Sequence, residues 1–215
     1  TKVSSITRSL RKTIKQAEIR VKEEPFMQNN QKIRKRYIEV EYGQMHFREL
    51  GEGPPLVLLH KTPSSSIQYI RVMPLLAKHF HTIALDTAGF GMSDPLRSQP
   101  QISDYRKTVI QFFDALNLNS ASVVGHHTGA SIAIDLASFA PDRVSNLILA
   151  GVLAFNDESI RTKWRAYLDS HKFELDTTGN FLETYPKPML AADQQFSPED
   201  PERYWLELVA YLQAG

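Results

Sequence analysis

Hydrophobic and polar positions change period twice along the chain. Ile6, Leu10, Ile14, Ala17 and Val21 recur at steps of three and four residues, the spacing of one helical face, with Ser4 or Ser5 placed to cap it. From Arg36 the period shortens to two. Ile38, Val40 and Tyr42 alternate with Tyr37, Glu39 and Glu41, and Gly43-Gln44 turns into Met45-His46-Phe47-Arg48, the pattern of a β-hairpin. Gly51-Glu52-Gly53-Pro54-Pro55 punctuates, and Leu56-Val57-Leu58-Leu59-His60 follows as a continuous apolar run. Strands apolar on both faces belong to buried parallel sheets.

The alternation then repeats. It predicts a helix near 67–78, a strand at Thr82-Ile83-Ala84-Leu85-Asp86 and a helix near 103–116 capped by Ser103. A strand at Ser122-Val123-Val124-Gly125, a helix from Thr128 to Phe139 and a strand at Leu147-Ile148-Leu149-Ala150 complete the series. Strand–helix–strand alternation of this length makes a parallel sheet covered on both faces, so the fold class is α/β. After Gly151 the strands stop, and residues 157–170, 180–192 and 199–213 read as helices between Pro- and Gly-bearing turns. Three domains are therefore expected: a basic extension over 1–32, helical or disordered; a core over 33–154; and a helical part over 155–215.

Composition narrows this little. The 215 residues are 42% hydrophobic and 23% charged, enough for one sizeable core. No apolar run approaches the roughly 18 residues of a membrane span. The absence of cysteine excludes disulfides and thiolate metal sites and fits a cytoplasmic protein. Charge adds more. Residues 1–37 hold eleven Lys/Arg against three Asp/Glu, and the rest hold fourteen against twenty-one, so a basic arm precedes a mildly acidic body. Three readings of residues 1–26 stay open: a helix docked on the body, an Arg- and Ser-rich targeting segment opposed by Glu18, Glu23 and Glu24, or upstream sequence foreign to the natural protein. No aromatic residue is interleaved with these charges before Phe26 and no reader motif appears, so no nucleic-acid partner is expected.

The candidate chemistry sits at Val123-Val124-Gly125-His126-His127-Thr128-Gly129-Ala130, where a strand runs into a helix. Four blocks resemble the α/β-hydrolase superfamily in order and spacing. Gln44 to Pro55 resembles the hairpin exit, Leu58-Leu59-His60-Lys61-Thr62-Pro63 the oxyanion block, and Leu85 to Asp94 the Asp-x-Pro-Gly-Phe-Gly-x-Ser turn. Gly125 to Gly129 is similar to the nucleophile elbow, Gly-x-Ser-x-Gly. The resemblance implies the α/β-hydrolase fold: a mostly parallel sheet flanked by helices, with the start of a helical cap after residue 155, as in haloalkane dehalogenases, epoxide hydrolases and esterases. It also implies oxyanion donors at the N–H groups of Thr62 and Thr128.

The departures matter equally. His127 stands where Ser or Asp is usual; histidine can attack as a nucleophile through an acyl-imidazole or act as a general base near neutral pH. Lys61 replaces a glycine and puts a cation near the oxyanion corner. Ala88 replaces the turn proline. No later strands follow to supply the family's acid and base, so the sequence is expected to be a fragment lacking the C-terminal strands, with an apolar sheet edge that self-associates. Asp157, just after the last strand, is the one carboxylate nominated as an alternative acid by analogy. Catalytic candidates are thus His127, Thr128, Thr62 and Asp157; Lys61, His126, His60 and Trp164 are candidates for binding substrate. His60 also reads as a loop-holding residue and His126 as a structural one. Asp86 reads as a brace for the turn after it, and Ser64, Ser65 and Ser66 as caps.

No metal or other cofactor is expected, because neighbouring His126 and His127 point apart on a strand. A small-molecule substrate is the expected partner, without a membrane, and a homodimer is left open. Three functions follow: a hydrolase of a small, mostly apolar ester, lactone or related molecule; a pseudoenzyme that binds a ligand; and a partner-binding protein that uses the basic arm.

Overall fold

A computed structural model of the chain describes residues 32–96, 100–152 and 158–170, without the side chains of Trp164 and of residues 167–170. Six strands form one sheet: β1 (Arg34–Val40), β2 (Gly43–Leu50), β3 (Pro55–Leu59), β4 (His81–Leu85), β5 (Ala121–His126) and β6 (Val144–Ala150). Their spatial order is β1-β2-β4-β3-β5-β6. β3 pairs parallel with both β4 and β5, and β5 pairs parallel with β6. The hairpin β1–β2 adds its second strand antiparallel to β4. The sheet is therefore mixed, with a parallel centre of four strands.

Strand periodicity explains the two cores. On one face Met45, Phe47, Val57, Leu59, Ile83, Leu85 and Val123 pack under the helices α2 (Ile102–Ala115) and α3 (Thr128–Phe139), which add Phe112, Phe113, Ile132 and Leu136. The intervening positions Leu56, Leu58 and Ala84 face the other way. They pack with Tyr69, Met73 and Ala77 from the segment between β3 and β4. Arg106 of α2 ties the two helices together, with NH1 3.1 Å from Asp135 and its guanidinium 3.8 Å from the Phe139 ring centroid.

Two expected elements differ. The helix near 67–78 is broken into a 3-10 turn (Ser66–Tyr69) and a single α-turn, α1 (Met73–Leu76). Pro74 lies in the first turn of α1; it has no N–H to continue a helix from the preceding residues, but it suits a new start. The expected cap Ser103 lies inside α2, which begins one residue earlier. Gln101 holds the N-cap position, and its N–H donates to the Asp104 carboxylate at 2.9 Å. Asp104 therefore satisfies the helix start by reaching backwards.

β6 forms one edge of the sheet, and among the described residues no strand pairs with its outer side. Leu147, Ile148 and Leu149 there are 38%, 53% and 39% exposed. The fourth α-helix, α4 (Glu158–Ser170), follows the expected helix at 157–170. The helices expected at 180–192 and 199–213, and the basic extension up to residue 31, lie outside the described residues. No described helix is long and apolar enough to cross a membrane.

Candidate active site at the β5–α3 elbow

The turn between β5 and α3 has a strained backbone. His127 adopts φ 55° and ψ −113°, a region L-residues rarely enter. A conformation of that kind costs about 1–3 kcal/mol and persists only where its surroundings over-determine it. They do so here. The His127 N–H donates to Ala150 O at the end of β6 (2.9 Å), and its carbonyl accepts from Ala130 N (3.0 Å) and Ser131 N (3.3 Å). Gly129 N–H donates to His60 O beside the end of β3, at 3.1 Å. The two glycines permit this closeness. A Cβ on Gly125 would lie 2.6 Å from Ala130 Cα, and one on Gly129 would lie 2.6 Å from Leu59 C and 2.8 Å from His60 O.

The N–H groups of Gly129, Ala130 and Ser131 are thus occupied. That of Thr128, the first residue of α3, has no partner among the described residues, and neither has that of Thr62. Free N–H groups at a helix start favour an anion. The His127 ring is half-buried, with Nδ1 3.2 Å from Thr128 Oγ1. Burial, then the nearby His126 ring and the Lys61 ammonium, hold its pKa below the ordinary histidine value. At neutral pH this imidazole is uncharged, with a lone pair to offer.

The loops that flank the elbow are anchored by buried polar groups. Asp86, at the end of β4, accepts from Ser66 N (2.6 Å), His46 Nδ1 (2.7 Å) and Met92 N (3.0 Å). Burial alone would raise its pKa; the hydrogen bonds from His46, Ser66 and Met92 outweigh that and hold it below the usual carboxylate range. Ser93 Oγ donates to Asp86 O (2.7 Å) and accepts from His46 N (2.9 Å), which joins the turn to β2. Gly91 has φ +57°, and a Cβ there would fall 2.5 Å from Asp86 Cγ, so this position requires glycine twice over.

His60 is 1% exposed. Thr87 N–H donates to its Nε2 (3.1 Å), so the ring proton sits on Nδ1 and donates to Lys61 O (2.7 Å). Burial lowers its pKa, keeping it neutral. At the next turn, Gln68 Oε1 accepts from Lys61 N (3.0 Å) and Gln68 Nε2 lies 2.9 Å from His126 Nδ1.

The sequence model described as the alpha/beta hydrolase fold matches residues 54–203. The chain belongs to the α/β hydrolase fold family. Among curated relatives, it is 33% identical over 108 residues to an (E)-2-((N-methylformamido)methylene)succinate hydrolase of Acinetobacter baylyi, covering 50% of this chain and 41% of that one. It is 28% identical over 129 residues to haloalkane dehalogenase 2 of Mycobacterium tuberculosis, covering 60% of this chain and 45% of the relative. Bifunctional epoxide hydrolase 2 of Mus musculus is 34% identical over 115 residues, covering 50% of this chain and 20% of the relative. The matched segment thus spans less than half of each of these relatives. The solved structure of the epoxide hydrolase CorEH superposes with a TM-score of 0.67 at 23% identity, covering 85% of this chain and 71% of that one. At that identity the likeness concerns the fold.

Within this α/β hydrolase fold, the structure brings His127, Thr128 and His126 together at the elbow, with His60 and Lys61 beside them after β3. The rings of His126 and His127 are 6.4 Å apart and tilted by 57°. His60 has both ring nitrogens engaged inside the protein, Nε2 with Thr87 and Nδ1 with Lys61 O. Its geometry is that of a loop-holding residue. Asp157, and the Trp164 side chain, lie outside the described residues.

Sequence reasoning missed two participants. Gln68 follows no periodic or motif signal; only its distance from His126 in space reveals it. His46 sits in an edge hairpin and pairs with an aspartate 40 residues away. The adjacent turn block, read as a unit with the hairpin exit, was the one available hint.

Proposed function

We propose that the protein is a hydrolase acting on a small, mostly apolar ester, lactone or related molecule, with His127 as the reacting group. The observation that carries this reading is the His127 backbone: a strained crest, held from β3 and β6, with an uncharged imidazole and the open N–H of Thr128 beside it. When Nδ1–H donates to Thr128 Oγ1, Nε2 keeps its lone pair for the substrate carbonyl or for a water. Attack as a nucleophile forms the Nε2–acyl bond and pushes the carbonyl electrons onto oxygen. Thr62 and Thr128 N–H groups receive that oxyanion, each such donor contributing about 2.7–4 kcal/mol. The C–O bond to the leaving group breaks and the alkoxide takes up the proton that the acylated ring releases from Nδ1 by way of Thr128 Oγ1; water then adds to the acyl carbon, its proton returns to the ring, and the acid leaves with His127 restored. Lys61 adds positive charge at the same corner, Asp157 is the candidate acid, and Trp164 is a candidate for binding substrate. The location is cytoplasmic.

A second reading rests on a specific contact. Among the described residues His127 Nδ1 meets a hydroxyl, not a carboxylate, as in a pocket that binds a ligand without turning it over. Activated short-chain esters separate the two readings. Hydrolysis by the native protein that disappears in His127→Ala supports the enzyme. No native hydrolysis, with activity gained in His127→Ser, supports the binding protein.

A further inference from the structure

We propose that Gln68 is a positioning residue of this site: its amide locks the proton of His126 onto Nε2 and holds the Lys61 N–H away from the anion corner. The second half of this rests on the reading of His127 as the reacting group; the first half does not.

The Lys61 backbone N–H can only donate, and at 3.0 Å its partner must be the Gln68 oxygen. That contact settles which way round the amide lies. Its nitrogen therefore faces His126 Nδ1 at 2.9 Å, carrying two hydrogens and no lone pair. Nδ1 must accept, so the ring is neutral and protonated on Nε2. A doubly protonated ring would set N–H against N–H.

The amide has a firm base. Gln68 N donates to Ser65 O (3.0 Å), Tyr69 Oη donates to Leu59 O (2.8 Å), and Ser66 N is held by Asp86. The 3-10 turn Ser66–Tyr69 is thus tied to the ends of both β3 and β4. Two consequences follow at the elbow. His126, whose ring lies 6.4 Å from that of His127, stands there at pH 7.5 as the neutral Nε2–H tautomer, and it opposes an imidazolium at His127 only once it too is protonated, whereas the Lys61 ammonium does so throughout. On the β6 side of the His126 ring stands Gly151, where an added Cβ would be 3.6 Å from Nε2, so no titratable side chain opposes it at that residue. The Lys61 N–H, meanwhile, is turned toward Gln68, so the loop offers Thr62 N–H to an oxyanion.

Ring-nitrogen NMR of uniformly 15N-labelled protein at pH 7.5 reads the tautomers directly, with His126 assigned through His126→Gln. The native protein is expected to show His126 protonated on Nε2 alone. In Gln68→Glu the carboxylate still accepts from Lys61 N–H but turns an acceptor toward Nδ1, so Nδ1 gains a proton. The His60 signals, expected as the Nδ1–H tautomer in both proteins, report that the fold is kept. Native His126 protonated on Nδ1 overturns the proposal without any variant; so does an unchanged His126 spectrum in Gln68→Glu with His60 intact. For the second half, Gln68→Leu is expected to lower kcat for an activated ester about tenfold or more, with KM little changed. Unaltered kcat in a folded Gln68→Leu protein overturns that half. Correct tautomers in a native protein without hydrolysis leave the His126 assignment standing and remove the hydrolase reading instead.

Discussion

Asp86→Ala tests whether the turn after β4 is held as the geometry requires. Asp86 is 1% exposed and accepts two backbone N–H groups and one imidazole N–H, from Ser66, Met92 and His46. Truncation takes the acceptor from two buried donors, Ser66 N–H and the His46 ring, and from the partly buried Met92 N–H. One such orphan costs about 1–3 kcal/mol, but relaxation and water entry prevent simple addition. With three donors losing a carboxylate acceptor at once, a loss of about 3 kcal/mol or more is expected here. Asp86→Asn should cost less, about 1–3 kcal/mol. Oδ1 accepts from Ser66 alone while Oδ2 accepts from His46 and Met92, so the amide nitrogen takes the Oδ1 position at the least loss.

The assay is urea unfolding at several pH values. Because the folded Asp86 pKa is depressed, its contribution is fully present above the unfolded value of about 3.9 and is lost as pH falls through the folded one. The deficit of Asp86→Ala should therefore be level between pH 5 and pH 8 and shrink below about pH 4. A variant within about 1 kcal/mol of native at pH 7 would refute the reasoning, being below the cost of even one orphaned donor. So would a deficit that persists undiminished at pH 3.

Two further outcomes follow from the elbow and its supports. Gly129→Ala places a Cβ 2.6 Å from Leu59 C and 2.8 Å from His60 O, both backbone atoms of a central region, so a loss of about 2 kcal/mol or more is expected in thermal melts; native stability would contradict that crowding. His60 and His127 both have lowered pKa values, so the unfolded chain binds protons more readily below about pH 6.5 and stability should fall from pH 7.5 to pH 5.5. The slope contributed by either histidine cannot exceed about 1.4 kcal/mol per pH unit, and His60→Gln should flatten it; an equally steep curve in that variant would contradict a buried, neutral His60.

The sequence pattern is most informative where burial is continuous. Leu56 to Leu59 and Thr82 to Leu85 have no polar face, and they are the two central strands buried on both sides. The elbow was legible because its glycines are required by backbone approach: Gly125 and Gly129 leave no room for a Cβ. Asp86 was legible as a brace through the resemblance of Leu85 to Asp94 to the family's turn, and the Ser66 N–H and the His46 ring are its buried donors. What periodicity hides is contact across the chain. Nothing local says that β2 pairs antiparallel with β4, or that Pro74 divides the segment after β3 in two. Glu49 looks like one more polar hairpin residue, yet it is 3% exposed and gathers Arg34, Arg36 and His81 around its carboxylate. Gln68 is the clearest case. Its meaning depends on His126, 58 residues later, and on the turn that brings them together.

The central claim is that an uncharged imidazole at the crest of the elbow performs the reaction. The pH dependence of kcat/KM for an activated ester, measured on the native protein and on His127→Ala, tests it most directly. The account predicts an acid limb with its midpoint below about 6.5, because burial and the neighbouring positive charge disfavour the imidazolium, and no hydrolysis above background in the alanine variant. Hydrolysis that survives His127→Ala with the same pH profile would contradict it.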